Sequence, residues 1–479
     1  MRTVIVGAGS AGLICAWRLS ADPSHEVVLV DAGIDPGPDV PPELRTDILL
    51  PPEYYWQYTD QDTGNFLPRG KVFGGCSAVN AAAAVRGHPW CFDAWGSEQW
   101  SFDACLPAFR ALEADQQFGQ EEYHGSDGPI PITRYEQSAF DLAFQEVYRR
   151  SGYHPVADHN APGALGFGPF PTNRVDGVRM STLVTVLPEV STRPNVELRA
   201  SSEVLRVLIS DGAAHGVVLR DTHGEHTVEA DQVILSAGTF GTPEILFHSG
   251  VGPADDLRKA GLPVVAHAPQ LGTNLADHPL FQMNVKVTDP SEPPMPGGQG
   301  TLLTYELPGE RHPQGQIFAY HAPFFDPTAE PDTAAVAASL QTPESRGHLT
   351  LGRHRARVHM NFLSTPLDRA RAADVVATAG DIIDDLAAQG RVELPDTPWW
   401  RSEDLEHVCR AHVLPYHHAV GTCRMGRDSD SVVDEHLRVR GVDQLMVADA
   451  SIMPTIPRAH TNLATMMIGY RAADFAGQE

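Results

Sequence analysis

The first 33 residues constrain the fold of this chain most strongly, because they predict one complete dinucleotide-binding unit. Residues 3–6 form an apolar strand, residues 7–12 spell G-x-G-x-x-G, and residues 13–19 have the apolar spacing of a helix. A second apolar strand, residues 27–30, ends at Asp31. This succession of strand, glycine-rich turn, helix and strand predicts the start of a Rossmann-like parallel sheet.

Each glycine of the turn has a separate task. Gly7 allows the tight turn, Gly9 lets the backbone approach a pyrophosphate, and Gly12 lets the helix pack closely on the strand. Asp31 follows Gly12 by 19 residues, close to the offset of roughly 20 for the acid that binds an adenosine ribose. A G-x-G-x-x-G turn alone is weak evidence. The flanking strands and this acid are what favour dinucleotide binding.

The composition narrows the class of protein. A length of 479 residues exceeds what one hydrophobic core usually supports, which predicts two domains. The content of 42% apolar and 20% charged residues is typical of a globular protein, and the formal net charge of −26 argues against binding to nucleic acid or to an anionic membrane. No apolar run is long enough to span a membrane and no signal peptide is recognisable, so we expect a cytoplasmic protein.

Metal and acyl-transfer chemistry find no support in the sequence. The six cysteines are scattered without a C-x-x-C pair, which argues against a structural zinc site and a disulfide framework. His354 and His359 have neither an H-E-x-x-H pattern nor a cysteine partner, so we expect no metal there. Ser10 and Ser77 lack the G-x-S-x-G turn of a serine nucleophile.

The remaining chain alternates between strand and helix patterns. Residues from about 280 to 365 mix strand-like runs with long polar loops, which predicts a second, substrate-facing domain. The other expected elements are a β-meander at 196–199, 203–209 and 216–220, a buried strand at 233–238 with a helix opening at Pro243, one or two helices at 368–386, a strand at 445–449 and a final helix near 462–475.

Five motifs occur in an order that one known family shares. They are the opening unit, the small-residue segment 70–80, residues 238–243 with 250–253, residues 271–279, and the closing stretch 418–465. In these motifs the chain resembles the glucose-methanol-choline (GMC) oxidoreductase family, flavoenzymes that oxidise alcohols. The resemblance covers nearly the whole chain.

The resemblance implies an α/β fold with two domains. One is a Rossmann-like FAD-binding domain, and the other is a discontinuous α+β substrate-binding domain that contains an antiparallel sheet. We expect the FAD-binding domain to comprise residues 1–150, 190–280 and 420–479. Residues 151–189 and 281–419 would form the substrate-binding domain.

The resemblance also implies FAD as the cofactor. Several relatives attach the flavin covalently through a histidine one place before Asn80, where this chain has Val79, so we expect non-covalent FAD. Asp277 and His278 are expected to support the flavin through local turn structure. The implied cofactor contacts are Gly7, Gly9, Ser10, Ala11, Gly12, Asp31 and Val204 for the ADP half, Asp449 and Ala450 for the diphosphate and ribityl chain, Gly75, Cys76, Asn80 and Ala82 for the isoalloxazine, and Ala32, Val72, Ala237, Thr461 and Asn462 nearby.

Two histidines are the catalytic candidates. His418 begins a stretch similar to the family's H-x-x-G-T-x-x-M-G, and His460 stands where relatives carry a second histidine or an asparagine. Alcohol oxidation needs a base for the hydroxyl proton, and imidazole is largely neutral near pH 7 yet able to take a proton. We expect His418 to be this base and His460 to orient the hydroxyl or share its proton. His417, one place off the motif, is a weaker candidate for a pocket residue.

The sequence leaves several alternatives open. A lyase that uses FAD without redox chemistry, a flavin-binding protein without turnover and a nicotinamide-dependent dehydrogenase would share much of this pattern. The alcohol and the electron acceptor, oxygen or another, are not specified. The chain also departs from the family at Phe73, at Cys76 and at residues 462–465, and its segment between Trp56 and Arg69 is short. A trimmed lid would admit a bulky alcohol such as a sugar, a glycoside or a polyketide-like compound.

Overall fold

The computed structural model describes residues 1–46, 49–289, 300–322, 326, 328–352 and 355–477. Throughout these ranges, every helix is too short or too polar to cross a lipid bilayer.

A five-stranded parallel sheet contains the predicted dinucleotide-binding unit. Its strands carry consecutive buried residues, as in Val27 to Val30, because both faces of the sheet are covered. The predicted helix follows the first strand, but it spans Ser10–Leu19 and so begins three residues before the predicted start at residue 13. Across the sheet the strands run in the order Val196–Arg199, Glu26–Val30, Arg2–Val6, Gln232–Leu235 and Leu445–Val447.

The prediction of a β-meander that begins at residue 196 is wrong for its first strand. Val196–Arg199 pairs in parallel with Glu26–Val30 and so belongs to the edge of the parallel sheet. The four residues Val196–Arg199 alternate between apolar and charged side chains, a pattern that does not specify which strand they pair with. The otherwise unpaired edge of Glu26–Val30 supplies the partner. The meander itself consists of Glu203–Ser210, Ala213–Asp221 and Gly224–Glu229.

The helix predicted to open at Pro243 instead begins at Gly238 and ends at His248. Pro243 lies inside it and cannot donate to the carbonyl of Thr239, four residues earlier. The hydroxyl of Thr422 donates to that carbonyl at 2.6 Å. A tertiary contact therefore compensates for the proline, which no local pattern could indicate.

An antiparallel sheet forms the second layer of secondary structure. Its strands follow the order Val392–Glu393, Pro279–Val287, Thr333–Leu340, Gly315–His321, Thr301–Tyr305 and Gly166–Pro169, and Leu414–Pro415 also pairs with Pro279–Val287. The segment predicted as one or two helices is a single helix, Pro366–Ala388, capped by the Thr365 side chain. Its buried residues join one apolar core with those of the sheet.

The predicted domain boundaries stay a prediction. The sheets draw their strands from alternating parts of the chain, as a discontinuous division requires. The helix Ala139–Arg150, inside the segment assigned to the FAD-binding domain, packs Phe144 and Tyr148 into the core of the antiparallel sheet.

The remaining helices and strand pairs lie outside the two large sheets. The final helix is Thr461–Phe475, close to the predicted 462–475. The other helices are Pro42–Thr46, Pro89–Asp93, Phe102–Leu112, Thr182–Thr185, Leu187–Val190, Ala254–Lys259 and Leu405–His412, with 3₁₀ turns at Pro52–Tyr54, Gly75–Ala78, Glu98–Trp100, Trp399–Arg401 and Ala450–Ile452. The two-stranded pairs are Tyr55–Thr59 with Phe66–Gly70, Glu113–Asp115 with Ile130–Ile132, Arg174–Val175 with Val178–Arg179, Val251–Gly252 with Ala266–His267, and His348–Thr350 with Arg357–His359.

A buried ionic cluster centres on His124. Its ring contacts Glu113 at 2.8 Å and Asp158 at 2.9 Å, and Arg86 pairs with Glu113 at 2.5 Å. Burial disfavours the charged ring, but the hydrogen bonds to the two carboxylates prevail and raise the pKa of His124 to about 9. Asp158 also accepts from the backbone of Asn160 at 3.0 Å.

Asn160 connects this cluster to the chain segment that follows Asn80. Its side chain donates to the Ala84 carbonyl at 2.9 Å and accepts from the Arg86 backbone at 2.8 Å. Asn80 and Ala83 line a cavity that the glycine-rich turn also lines, so the cluster braces one wall of this cavity.

We expect His124→Gln to destabilise the protein by about 3–5 kcal/mol near pH 6, because buried carboxylates lose their charged partner. The folded pKa of His124 lies above its unfolded value of about 6.5. Its stabilisation is therefore complete below about pH 6.5 and is lost as the pH rises through about 9. Thermal unfolding of wild type and variant across this window measures the difference, which should shrink with pH.

His226→Gln is the matched control, because His226 meets Asp221 at 3.5 Å on the surface and such pairs contribute little. A difference between wild type and His124→Gln that stays constant across the window would contradict the expected role of His124.

Candidate active site

One cavity of about 790 Å³ joins the glycine-rich turn to the two catalytic candidates. A volume in the range of roughly 300–1,000 Å³ is usual for small-molecule and cofactor sites. The predicted residues that line it are Gly7, Gly9, Ser10, Ala11, Asp31, Ala32, Gly75, Cys76, Asn80, Val204, Ala237, His418, Asp449, Ala450, His460, Thr461 and Asn462.

Three predicted contacts do not line this cavity. Gly12 is packed against the turn, and a Cβ there would lie 1.8 Å from the Gly7 carbonyl oxygen. Val72 is fully buried and its backbone bridges to Ile34. Ala82 is also buried, with a left-handed φ of 61° that turns it away, while its neighbour Ala83 lines the cavity.

Asp31 holds the glycine-rich turn against the end of the second strand. Its carboxylate accepts from the Ala8 backbone at 2.7 Å and from the Gly33 backbone at 2.6 Å. Burial raises the pKa of Asp31 to about 6, although both donors favour the ionised form. The helix Thr461–Phe475 reaches the same turn, where the Ser10 hydroxyl donates to the Asn462 side chain at 2.8 Å.

Asp449 performs a similar task at the end of the last parallel strand. Its carboxylate accepts from the Gly238 backbone at 2.9 Å, the Thr242 hydroxyl at 2.6 Å and the Ser451 backbone at 2.8 Å. Burial raises the pKa of Asp449. This carboxylate therefore fixes the start of the helix Gly238–His248 beside the cavity.

His418 and His460 face each other at the other end of the cavity. Their ring centroids are 4.9 Å apart and the rings are inclined by 74°. Tyr416 joins them, because its ring stacks on His418 with centroids 4.1 Å apart and its hydroxyl is hydrogen-bonded to His460 Nε2 at 3.0 Å. The buried Nδ1 of His460 has no hydrogen-bond partner among the described residues.

Asp277 and His278 contact the segment that carries His418, and their expected support of the flavin stays a prediction. Asp277 accepts from the backbone of His418 at 2.8 Å and of His417 at 3.1 Å. His278 Nδ1 lies 3.0 Å from His418 Nδ1. The arrangement holds His417 in a left-handed conformation with φ 65°, which a residue with a Cβ adopts only when its surroundings impose it.

Burial governs the charge state of these groups. It lowers the pKa of His418 well below its usual value, and the neighbouring His460, His278, His417 and Arg69 lower it further. Burial also lowers the pKa of His460 to about 3. Both candidate rings are therefore neutral near pH 7, the form in which imidazole accepts a proton.

Sequence reasoning missed Tyr416 and the residues of the antiparallel sheet that face the histidines. The residues concerned are Leu280, Gln282, Phe318 and Tyr320, and all four line the cavity. Tyr320 donates its hydroxyl to Gln282 at 2.5 Å. The position of Tyr416 just before His417 was an available signal, whereas the strand residues needed the register of the sheet.

The described residues contain no group of three or more side chains suited to hold a metal ion. His354 lies outside them, and His359 contacts Asp62 at 2.8 Å.

Comparison with known proteins identifies the family to which this chain belongs. Two family models, both described as GMC oxidoreductase, match residues 1–280 and 343–469. The chain belongs to the GMC oxidoreductase family. It is 32% identical to mitochondrial choline dehydrogenase of Mus musculus, covering 98% of this chain and 88% of the relative. It is also 32% identical to pyridoxine 4-oxidase of Microbacterium luteolum, covering 97% of each.

A further relative and a solved structure support the same family. The GMC chain is 33% identical to 5-(hydroxymethyl)furfural oxidase of Methylovorus sp. (strain MP688), covering 98% of this chain and 97% of the relative. The crystal structure of pyridoxine 4-oxidase from Mesorbium loti superimposes with a TM-score of 0.89 at 30% identity, covering 99% and 98% of the two chains. These names are those of oxidases and dehydrogenases. This GMC enzyme oxidises CH–OH groups with FAD, and the comparisons give the lyase alternative no support.

The residues present fit FAD. Gly9 lines the cavity, and a Cβ there would meet only the Gly75 Cα, at 3.8 Å, so the space beyond Gly9 is free for a diphosphate. The cavity continues from there to the unpartnered Nδ1 of His460.

Two glycine variants separate cofactor binding from folding. We expect Gly9→Ala to fold normally, because Gly9 has φ −82° and room for a methyl group, yet to raise the Kd for FAD at least about tenfold by crowding the diphosphate. Gly12→Ala should lower the unfolding temperature of the FAD-free protein, because its Cβ would collide with the Gly7 carbonyl oxygen. FAD titration and thermal unfolding measure the two effects, and equal unfolding temperatures for both variants would contradict this division.

Proposed function

We propose that His418 is the general base of this alcohol oxidation and that His460 orients the substrate hydroxyl. The observation that carries this proposal is the pair of neutral, perpendicular rings 4.9 Å apart in the cavity that the glycine-rich turn also lines. Nδ1 of His418 is engaged by His278, and the described residues give its Nε2 no hydrogen-bond partner. Nε2 is therefore the atom that would receive the alcohol proton.

His460 would hold the same hydroxyl from the second side. Its Nε2 is engaged by Tyr416, which leaves the unpartnered Nδ1 for the substrate oxygen. A base and a positioning group at right angles restrict the orientation of the alcohol that they bind. Bound FAD supplies the hydride acceptor, flavin N5.

We further propose that FAD is held non-covalently by the predicted residues that line the cavity. Val79 stands where a histidine would be needed for attachment and offers no nucleophile. Acid precipitation should therefore release all of the flavin into the supernatant, as measured by its absorbance. Flavin retained in the washed pellet would show a covalent bond.

The walls near the histidines favour an uncharged, planar alcohol as substrate. Phe318, Tyr320, Tyr416, Leu280 and Gln282 are neutral, and the nearby Asp277 is buried behind the backbone of His417 and His418. A quaternary ammonium alcohol would find no carboxylate among these residues and would meet the cationic side chain of Arg69, which also lines the cavity. An aromatic alcohol can stack on Phe318 or Tyr416.

A panel of alcohols tests this proposal. We expect 5-(hydroxymethyl)furfural or pyridoxine to bleach the flavin under anaerobic conditions faster than choline, glucose or a methyl glycoside. The expectation of a sugar or glycoside stays a prediction and is decided by the same panel. Adding oxygen or an artificial quinone to the reduced enzyme then identifies the electron acceptor, oxygen or another compound.

We also propose a reducing compartment such as the cytoplasm. All six cysteines are free, and five of them are buried. Free thiols are typical of proteins that stay in a reducing environment.

His418→Ala should slow flavin reduction by the best alcohol about 10²- to 10⁴-fold, the usual contribution of a general base. FAD content should stay unchanged, because the ADP half would lie at the other end of the cavity. Anaerobic stopped-flow absorbance gives the rate constant, and the surface variant His226→Gln serves as the histidine control. A rate equal to that of wild type would remove His418 from the role of base.

A further inference from the structure

His278 makes a contact that neither the motifs nor the proposed reaction explains. Its ring is fully buried, and its Nδ1 lies 3.0 Å from Nδ1 of His418. The two rings are perpendicular, with 89° between their planes and 5.2 Å between centroids. Two nitrogen atoms at this distance share one hydrogen, so one of them donates and the other accepts.

The direction of this hydrogen bond decides which nitrogen of His418 is basic. A neutral imidazole carries one hydrogen, on either Nδ1 or Nε2. If His418 keeps its hydrogen on Nδ1 and donates it to His278, its Nε2 lone pair is available to the alcohol. If His278 donates instead, the hydrogen of His418 lies on Nε2 and the base is blocked.

We propose that His278 is a positioning residue that accepts the hydrogen bond from Nδ1 of His418 and thereby fixes the tautomer in which Nε2 is basic. This inference rests on the proposed role of His418 as the base. When the alcohol O–H bond breaks, its proton forms a bond to Nε2 and the ring becomes a cation. The Nδ1 hydrogen stays on His418, and its hydrogen bond to His278 strengthens because the donor is now charged.

The charge state of His278 allows it to be the acceptor, in which case its own hydrogen lies on Nε2, a buried atom without a hydrogen-bond partner among the described residues. Burial lowers the pKa of His278 to about 3, with a further contribution from His460, so its ring is neutral near pH 7 and has a free lone pair. Asp277, next in the chain, fixes the backbone of His417 and His418. Asp277 thus holds the backbone of His418, and the adjacent His278 holds its ring.

Several charged or titratable groups face His418 and bear on its pH dependence. Tyr416 and His417 directly precede His418 in the chain. Asp277 and His278 directly precede the strand that begins at Pro279. His460 caps the final helix, and Arg69 lies on the strand Phe66–Gly70 and donates to the His417 carbonyl at 3.1 Å. Among these groups, His278 is the one whose side chain is hydrogen-bonded to the His418 ring.

The tautomer can be measured without any substrate. In the FAD-loaded protein labelled with ¹⁵N-histidine, the imidazole signals that disappear in His418→Asn belong to His418. We expect wild type to carry the hydrogen on Nδ1 of His418. A hydrogen on Nε2 in wild type would overturn the proposal outright.

Two substitutions at position 278 test the consequence for catalysis. His278→Asn keeps an acceptor oxygen close to the place of Nδ1, whereas His278→Leu fills similar space without one. We expect flavin reduction by 5-(hydroxymethyl)furfural or pyridoxine, whichever reduces wild type faster, to stay within about threefold in the Asn variant and to fall about 10- to 100-fold in the Leu variant.

The pH profile separates this role from packing alone. With a pKa of about 3, His278 is neutral over most of the pH range, so its repulsion of a protonated His418 acts only in strong acid. Above that pH, loss of the acceptor disfavours the protonated His418, so the acid limb of kcat/KM should move to lower pH in His278→Leu and stay in place in His278→Asn. A Leu variant with the wild-type rate and acid limb would overturn the proposal. Equal slowing of both variants, with FAD content and unfolding temperature unchanged, would also overturn it. If His278→Leu does not fold, the tautomer of wild-type His418 and the pH profile of His278→Asn still decide whether the proposal holds.

Failure of this inference and failure of the proposed base are distinguishable. If His418→Ala reduces flavin as fast as wild type, the base assignment fails, whatever position 278 does. If His418→Ala is slow and His278→Leu is not, the role of His278 alone fails. If His278 acts through His418, His278→Leu should add no further loss to His418→Ala.

Discussion

The hydrogen bond from the Thr422 hydroxyl to the Thr239 carbonyl ties the catalytic segment to the cofactor-binding sheet. The Thr239 hydroxyl returns a hydrogen bond to the Ala419 carbonyl at 2.7 Å. Pro243 removes the helical donor that would otherwise occupy the Thr239 carbonyl. The two threonines thus connect the H-x-x-G-T stretch to the helix that follows the fourth strand of the parallel sheet. The position of His418 relative to the cofactor-binding sheet depends on this connection.

Burial is the second condition on which the site depends. His278, His418 and His460 are all buried, and burial keeps each ring neutral. A neutral ring can accept a proton, and its pKa then depends on the few polar atoms that touch it. In so buried a place a single acceptor, such as His278, has more influence than it would in water. The low dielectric therefore makes the arrangement around His418 as important as His418 itself.

Buried polar groups also fix the backbone at the end of the cavity that the glycine-rich turn lines. Asp31 and Asp449 are buried carboxylates whose oxygens are held by backbone and hydroxyl donors. Each fixes a turn or the start of a helix at the end of a parallel strand, where ligands bind in open α/β sheets. The His124 cluster does this for the segment after Asn80 with charges instead of single donors. Buried polar groups in this fold thus hold backbone in place around the cofactor cavity.

Local patterns predicted much of this enzyme. The strand, turn and helix at residues 2–19 and the final helix were visible in the sequence, because hydrophobic period and glycine placement act over a few residues. The start of the helix at Gly238 and the partner of Val196–Arg199 were not, because each depends on a segment distant in the chain.

The catalytic candidates show the same division. The motif alone singled out His418 and His460, and the family that the comparisons establish was recognisable from five short stretches. Only the tertiary structure placed His278 against His418 and Tyr416 between the two rings. The sequence by itself determined the fold class and, through its resemblance to the family, indicated the cofactor and the type of reaction, because these depend on local motifs. The structure decided which nitrogen atoms meet, because a contact between residues 140 positions apart is set by packing and not by any local pattern.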